Sequence, residues 1–111
     1  MSRGLVVTGA ATGLGLAIAA AAAEAGYRVG MVDVDDLVET SAKTVDGARA
    51  YVCSVTDEPA VEAMLDDFGT PQVWVNNAGV VRFGPLLDLA VDDWRQVLDV
   101  NTTGCLSLIH I

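Results

Sequence analysis

Three glycines near the start of the chain have the spacing of a turn that holds phosphate. Gly9, Gly13 and Gly15 lie in the segment TGAATGLG, between an apolar run and an alanine-rich run. Glycine lets the backbone turn sharply and approach a pyrophosphate with no side chain in the way. A helix that starts here would direct free N–H groups and the positive end of its dipole at the phosphates. Because one glycine-rich turn is weak evidence, its surroundings decide the interpretation.

An acidic residue at a defined distance from this turn strengthens the interpretation. Asp33 lies 20 residues beyond Gly13. A carboxylate there accepts hydrogen bonds from both hydroxyls of an adenosine ribose and repels the 2′-phosphate of NADP. Neither Arg nor Lys stands beside Asp33 or in the glycine turn, and Asp35 and Asp36 add negative charge. The sequence therefore favours NAD as the cofactor, with NADP disfavoured; the alternative is that Asp33 is only a loop carboxylate.

Alternating strands and helices must position these residues. Short apolar runs separated by helical segments predict right-handed crossovers and a parallel sheet of order 3-2-1-4. The predicted fold class is α/β, a Rossmann-type doubly wound parallel sheet truncated after about four strands. The predicted strands are residues 4–8, 28–33, 50–54 and 72–76, and the predicted helices are 13–25, 35 or 36 to 44, 58–68 with Asp57 as its cap, and one that opens at Asp92 or Asp93. On this last helix Trp94, Val97 and Leu98 fit a buried stripe, and Asp88, Asp92 and Asp93 are expected to be solvated or capping carboxylates.

Two asparagine-containing segments complete a family pattern. The sequence Asn76-Asn77-Ala78-Gly79 follows the fourth predicted strand, and Val100-Asn101 lies in the last predicted helix. Together with the Thr-Gly-x-x-x-Gly-x-Gly turn, they resemble the compact single-domain branch of the short-chain dehydrogenase/reductase family. The resemblance covers residues 4–104. Three motifs in this order are specific together, whereas each alone is not.

The resemblance implies a role for each matched residue. The catalytic position is Asn101, whose counterpart in the family bends its helix and holds a water in a proton relay; the alternative is a polar residue tolerated in a helix. Asn76 is expected to tie strands together, and Ser54 stands where the family usually has Asp. The implied cofactor-binding residues are Gly9, Thr12, Gly13, Leu14 and Gly15 around the pyrophosphate, Asp33 on the adenosine ribose, Ser54 and Val55 beside the adenine, and Asn77, Ala78 and Gly79 along the cofactor.

The proton-transfer residues of the family have no match in this chain. That chemistry needs a Tyr, a Lys four positions beyond it and a Ser. Tyr27 and Tyr51 are the only tyrosines, and Met31 and Val55 stand four positions beyond them. The resemblance implies the cofactor-binding half of an NAD-dependent oxidoreductase that passes a hydride between nicotinamide and an alcohol or ketone, the chain itself being inactive. The alternative is a non-catalytic dinucleotide-binding module; the glycine spacing and the asparagines disfavour a methyltransferase.

The last six residues depart from the family pattern. Residues 106–111 read LSLIHI. These six residues can be encoded by a DNA sequence that resembles a transposon mosaic end, which is used as an adapter in sequencing libraries. We therefore predict that residues 1–105 are the N-terminal part of an NAD-binding domain and that residues 106–111 are an adapter scar. The alternative is a genuine helix end with Leu106 and Ile109 in the core. A chain cut at this point is expected to be marginally stable.

Composition limits the partners and the compartment. The 111 residues carry a formal net charge of -9, which argues against nucleic acid and anionic membrane as partners. Residues 5–23 are uncharged, but glycines and threonines interrupt them, so a signal peptide or membrane span is disfavoured. Cys53 and Cys105 have no metal-ligand spacing, and we expect them to be buried thiols in a reducing compartment, the cytoplasm. The resemblance also implies a homo-oligomer when full length.

Overall fold

A computed structural model describes residues 3–79, 90–98 and 100–101 of the chain. Strands and helices alternate along these ranges, as the apolar pattern predicts. The strands are β1 (Gly4–Thr8), β2 (Arg28–Asp33), β3 (Arg49–Val52) and β4 (Val73–Val75), and the helices are α1 (Gly13–Glu24), α2 (Leu37–Ala42), α3 (Glu58–Phe68) and α4 (Val91–Leu98).

The described strands form one parallel sheet in the order β3-β2-β1-β4. This confirms the predicted fold class and strand order. In the central pair, Val6 pairs with Gly30 and Val7 with Met31. On the other side of β1, Val6 pairs with Trp74 of β4. The order reverses beside β1, because the chain leaves β1 towards β2 and later returns to β4 on its opposite side, and ligands of open α/β sheets bind at such a point.

The central strands are apolar throughout because both faces of the sheet are covered. Val7 and Met31 are buried in one cluster with residues of α1 and α2. Val6 and Val32 point to the opposite face and pack with Phe68 of α3. The sheet is therefore doubly wound within the described residues, and its strands read as continuous apolar runs instead of alternating ones.

A glycine in β2 brings α3 close to the sheet. A Cβ on Gly30 would lie 3.1 Å from the ring of Phe68, so a larger residue would push the helix outwards. Arg28 lies over the same ring, 3.9 Å from its centroid, and its Nη1 donates to the Phe68 carbonyl at 2.6 Å. The predicted cap of α3 is confirmed, since Asp57 Oδ1 accepts from the Ala60 N–H at 3.2 Å. The contacts of Gly30 and Arg28 with Phe68 fix α3 against β2.

Two predicted boundaries are wrong because the chain forms tight turns there. The helix predicted to reach from 35 or 36 to 44 is only Leu37–Ala42. Its flanks make bonds between residues three apart, such as Val38 N–H to Asp35 O at 3.1 Å and Thr44 N–H to Ser41 O at 3.0 Å. Strand β3 runs over Arg49–Val52 instead of 50–54, since Ser54 already accepts from the Asp57 N–H in a turn. No helix among the described residues has the length and apolarity to span a bilayer.

Candidate functional site

A cavity of about 600 Å³ opens where the carboxyl ends of the four strands meet α4. Its size is within the range of small-molecule and cofactor sites. The cavity brings together eight of the predicted site residues, which are Gly9, Thr12, Asp33, Ser54, Val55, Asn77, Ala78 and Gly79. The remaining lining residues are Val32, Val34, Cys53, Thr56, Asp92, Arg95, Gln96 and Val100. Gly13, Leu14, Gly15 and Asn101 are predicted site residues that do not line it.

The end of β1 is tied to the segment after β4 by the buried hydroxyl of Thr8, which is 1% exposed. Its Oγ1 accepts from the N–H groups of Asn77 and Ala78, both at 3.0 Å, and donates to the Val75 carbonyl at 3.4 Å. The Asn77 Nδ2 in turn donates to the Gly9 carbonyl at 3.2 Å. The glycine turn and the Asn-Asn-Ala-Gly segment therefore form one hydrogen-bonded wall of the cavity.

This bonding corrects the prediction made for Asn76. Its side chain is exposed and its Oδ1 accepts from Nε1 of Trp74 at 3.0 Å, within the same stretch of chain. Asn77 makes the contact between strands instead, through Gly9. The reason is the short β4 ladder, which ends at Val75 and leaves Asn77 above the glycine turn.

The glycines of the turn allow a close approach of helix, turn and asparagine. A Cβ on Gly15 would lie 2.1 Å from the Gly9 carbonyl oxygen and 2.7 Å from Nδ2 of Asn77, which no side chain tolerates. At Gly13 the backbone has a φ of +60°, and nothing lies within 4 Å of the Cβ position. The N-terminus of α1 therefore forms an open cradle, where its free N–H groups can donate hydrogen bonds to an anion.

Asp33 is held rigidly at the end of β2. Its Oδ2 accepts from the Ala11 N–H in the turn at 3.0 Å, and its Oδ1 accepts from the Asp35 N–H at 3.1 Å. Each carboxylate oxygen has two lone pairs, so both keep acceptor capacity for a ligand hydroxyl. The carboxylate thus accepts hydrogen bonds from the backbone and lines the cavity at the same time.

The cavity wall after β3 is formed by small polar and apolar side chains. Val55 is buried, while Ser54 Oγ lies 2.7 Å from Thr56 Oγ1 and accepts from the Thr56 N–H at 3.2 Å. Burial raises the pKa of the Cys53 thiol, and the charge of Asp57 raises it further. Cys53 therefore remains a neutral thiol near pH 7 and lines the wall as a small apolar group.

Helix α4 contributes residues that the sequence prediction missed. Asp92, Arg95 and Gln96 line the cavity, although the sequence suggests only a helix with a buried stripe of Trp94, Val97 and Leu98. That stripe is wrong at Leu98, which is 42% exposed. The side chain of Trp94 lies outside what the structure describes, as do Asp88 and residues 102–111. The spacing of Asp92, Arg95 and Gln96 along one helix face is the signal that could have identified them.

Asn101 lies against the Asn-Asn-Ala-Gly segment. A Cβ on Gly79 would be 3.2 Å from its Oδ1, so the two residues are in contact. The backbone of Val100 and Asn101 is π-helical. Such a widened turn bends a helix and is frequent at functional sites. The arrangement brings an amide side chain to the edge of the cavity, beside Gly79.

Sequence comparisons identify relatives along nearly the whole chain. The family model described as short chain dehydrogenase matches residues 3–111. The chain is 38% identical over 108 residues to D-threitol dehydrogenase of Mycolicibacterium smegmatis, which covers 89% of this chain and 42% of that protein. It is 36% identical over 121 residues to 3-oxoacyl-(acyl-carrier-protein) reductase FabG of Staphylococcus aureus. That alignment covers 99% of this chain and 49% of FabG. The chain spans about half the length of the curated relatives it matches.

Solved structures with the same fold contain bound cofactor. A 3-ketoacyl-(acyl-carrier-protein) reductase from Brucella melitensis complexed with NADH aligns with a TM-score of 0.86 and 28% identity, over 97% of this chain and 47% of that one. An NAD⁺-bound xylitol dehydrogenase aligns with a TM-score of 0.83 and 35% identity, over 97% and 45%. The strand order and the helices described above are therefore shared with proteins that hold a nicotinamide dinucleotide.

Proposed function

The chain belongs to the short-chain dehydrogenase family, and we propose that its cavity binds NAD(H) and forms the cofactor half of an oxidoreductase acting on an alcohol or ketone. The membership confirms the resemblance carried by the three motifs. When bound, the cofactor supplies the hydride chemistry. The residues of this chain bind it and orient it, in the roles given above for the glycine turn, Asp33, Ser54-Val55 and residues 77–79.

The observation that carries the proposal is the fixed Asp33 carboxylate beside an open helix N-terminus. Ala11 joins the two, because its N–H bonds to Asp33 and it lies in the turn that leads into α1. No other part of the described chain lies within 4 Å of the Cβ position at Gly13, which leaves space for a phosphate group beside the helix N-terminus. A dinucleotide has both groups that such a pair recognises, because it joins a ribose and a pyrophosphate in one molecule.

The preference for NAD over NADP is supported by the charge around Asp33. The segment that follows it has Asp35 and Asp36, whose carboxylates oppose a 2′-phosphate. Among the described residues that line the cavity, Arg95 is the one cation, and it comes from α4 instead of the turn after β2. A ribose hydroxyl is therefore the favoured group beside Asp33.

Asp33→Asn tests this proposal by titration of NADH and NADPH fluorescence. An asparagine can keep its oxygen on the Ala11 N–H, so that bond to the turn is retained, while the charge and the acceptor for the Asp35 N–H are lost. Because hydrogen bonds to a charged group contribute about 1.5–3 kcal/mol, we expect NADH to bind roughly 10- to 100-fold more weakly. The affinity for NADPH should fall much less, since a repulsive charge is removed. Equal losses for both cofactors would contradict the assignment of Asp33 to the ribose.

Asp36→Asn is the matched control. It removes one charge from the same acidic segment, and its side chain does not cap α2. We expect it to change the affinity for NADH less than twofold, a shift of about 0.4 kcal/mol or less. A loss as large as that of Asp33→Asn would show that net charge, and not a specific hydrogen bond, sets the affinity.

A non-catalytic dinucleotide-binding module remains a second candidate, because neither tyrosine of the chain lines the cavity. Tyr51 donates its hydroxyl to Asp67 on the α3 side of the sheet. The two candidates share the cofactor site and differ in whether a Ser and a Tyr-x-x-x-Lys complete it in the full protein.

We further propose a homo-oligomeric protein of the reducing cytoplasm, in which Cys53 stays a free thiol.

A further inference from the structure

A buried serine of α2 donates a hydrogen bond to the backbone in the middle of the glycine turn. Ser41 Oγ donates to the Ala11 carbonyl at 2.6 Å, and the two residues are 8% and 3% exposed. The Ala11 N–H donates to Asp33 Oδ2 at 3.0 Å. Side chains from two different elements therefore fix both backbone polar groups of Ala11.

The rigidity of the peptide unit carries this restraint to the next residue. In a trans peptide the carbonyl of one residue and the N–H of the next point in opposite directions, and the described chain has no cis bond. The Ala11 carbonyl points into the protein, towards Ser41. The Thr12 N–H must then point away from Ser41, on the side where Thr12 is exposed and lines the cavity.

We propose that Ser41 is a positioning residue for the pyrophosphate: through the Ala11 carbonyl it aims the Thr12 N–H at the cavity and holds the turn in the form that receives phosphate. The proposal rests on the proposed function, since it concerns binding of a dinucleotide. Ser41 does not line the cavity, so it acts only through the turn. It also links the two subsites, because Ala11 is bonded to Ser41 on one side and to the ribose-binding Asp33 on the other.

The local sequence explains how a serine reaches this position. Val38, Ser41 and Ala42 are the buried residues of α2, at the i, i+3 and i+4 spacing of one helix face. A serine on an otherwise apolar face has to find a partner. Without the hydroxyl, the Ala11 carbonyl would be buried and unsatisfied, which favours a rotated peptide or an inserted water over the observed turn.

The test compares ligands that do and do not contain a pyrophosphate. The dissociation constants of NADH, ADP and adenosine are measured calorimetrically for the unmodified chain, Ser41→Ala and Thr44→Ala. Thr44 is the matched control, because its hydroxyl lies just beyond the same helix and bonds to the Ser41 carbonyl at 2.7 Å without contacting the turn. We expect Ser41→Ala to weaken NADH and ADP roughly tenfold and adenosine less than twofold, and Thr44→Ala to leave all three within twofold.

A general loss of structure would weaken the three ligands alike, so the ratio of ADP to adenosine affinity is the decisive quantity. If Ser41→Ala does not fold, Ser41→Cys replaces it, because a thiol has nearly the same size and is only a weak donor. An unchanged ratio in the variant, with NADH bound normally by the unmodified chain, overturns the role of Ser41 alone. Failure of the unmodified chain to bind NADH and ADP overturns the proposed function, and this inference with it.

Discussion

Replacing Thr8 by valine tests whether one hydroxyl joins the two halves of the cavity wall. Valine has nearly the shape of threonine, so the buried site stays filled, but the N–H groups of Asn77 and Ala78 lose their acceptor. An N–H left without a partner costs about 1–3 kcal/mol when buried. Both bonds are only partly buried, and the added methyl is favourable, so we expect a net loss of about 2–3 kcal/mol.

The assay for this change is urea unfolding followed by circular dichroism. For a small domain the slope is about 1–3 kcal/mol per molar urea, so the midpoint should fall by about 0.7–3 M. Thr8→Ser is the matched control, because it keeps the hydroxyl and loses one methyl, at a cost of about 1 kcal/mol. If Thr8→Val is as stable as Thr8→Ser, the hydroxyl does not hold the segment after β4.

Three further measurements have equally direct outcomes. Gly15→Ala should abolish NADH binding, because its Cβ would meet the Gly9 carbonyl at 2.1 Å; a bound cofactor would contradict that packing. The pKa of Tyr51 is raised to about 12 by burial and by its bond to Asp67, so its absorbance at 295 nm should titrate near pH 12 and at a lower pH in Asp67→Asn, which removes the charge but not the burial. The source gene, read past the codon of residue 105, should encode a Ser and a Tyr-x-x-x-Lys in place of residues 106–111; recovery of the same six codons would contradict the adapter interpretation.

The shifted tyrosine also gives stability a pH dependence with a defined sign. The unfolded chain releases the Tyr51 proton near pH 10, whereas the folded chain retains it to about pH 12. The folded state therefore binds more protons between these values, and stability falls as the pH rises through that window. Below pH 10 the contribution is fully present. Stability that stays level from pH 10 to 12 would show that Tyr51 is not held as described.

The elements of the sheet and the position of Asp33 could be predicted because their signals are local. The glycine turn, the apolar runs and the acid 20 residues beyond Gly13 each lie within a short stretch of sequence. The strand order followed because crossovers in such sheets have one hand. These features depend on backbone geometry and burial, which residue types alone specify.

The contacts between elements could not be predicted in the same way. Asn76 and Asn77 are adjacent and identical in type, and only the register of β4 decides which of them reaches Gly9. Ser41 looks like a surface residue of a short acidic helix until its bond to the Ala11 carbonyl is seen. Arg95 lines the cavity because of how α4 docks, which periodicity does not determine.

The most direct test of the central claim is a calorimetric titration of the chain with NADH and NADPH, which differ only in the 2′-phosphate that Asp33 would oppose. With Asp33 on the ribose, we expect saturable binding of NADH at one site, roughly tenfold or more tighter than NADPH. Equal affinities, or a preference for NADPH, would contradict the role of Asp33. No saturable binding of either cofactor would contradict the assignment of the cavity itself.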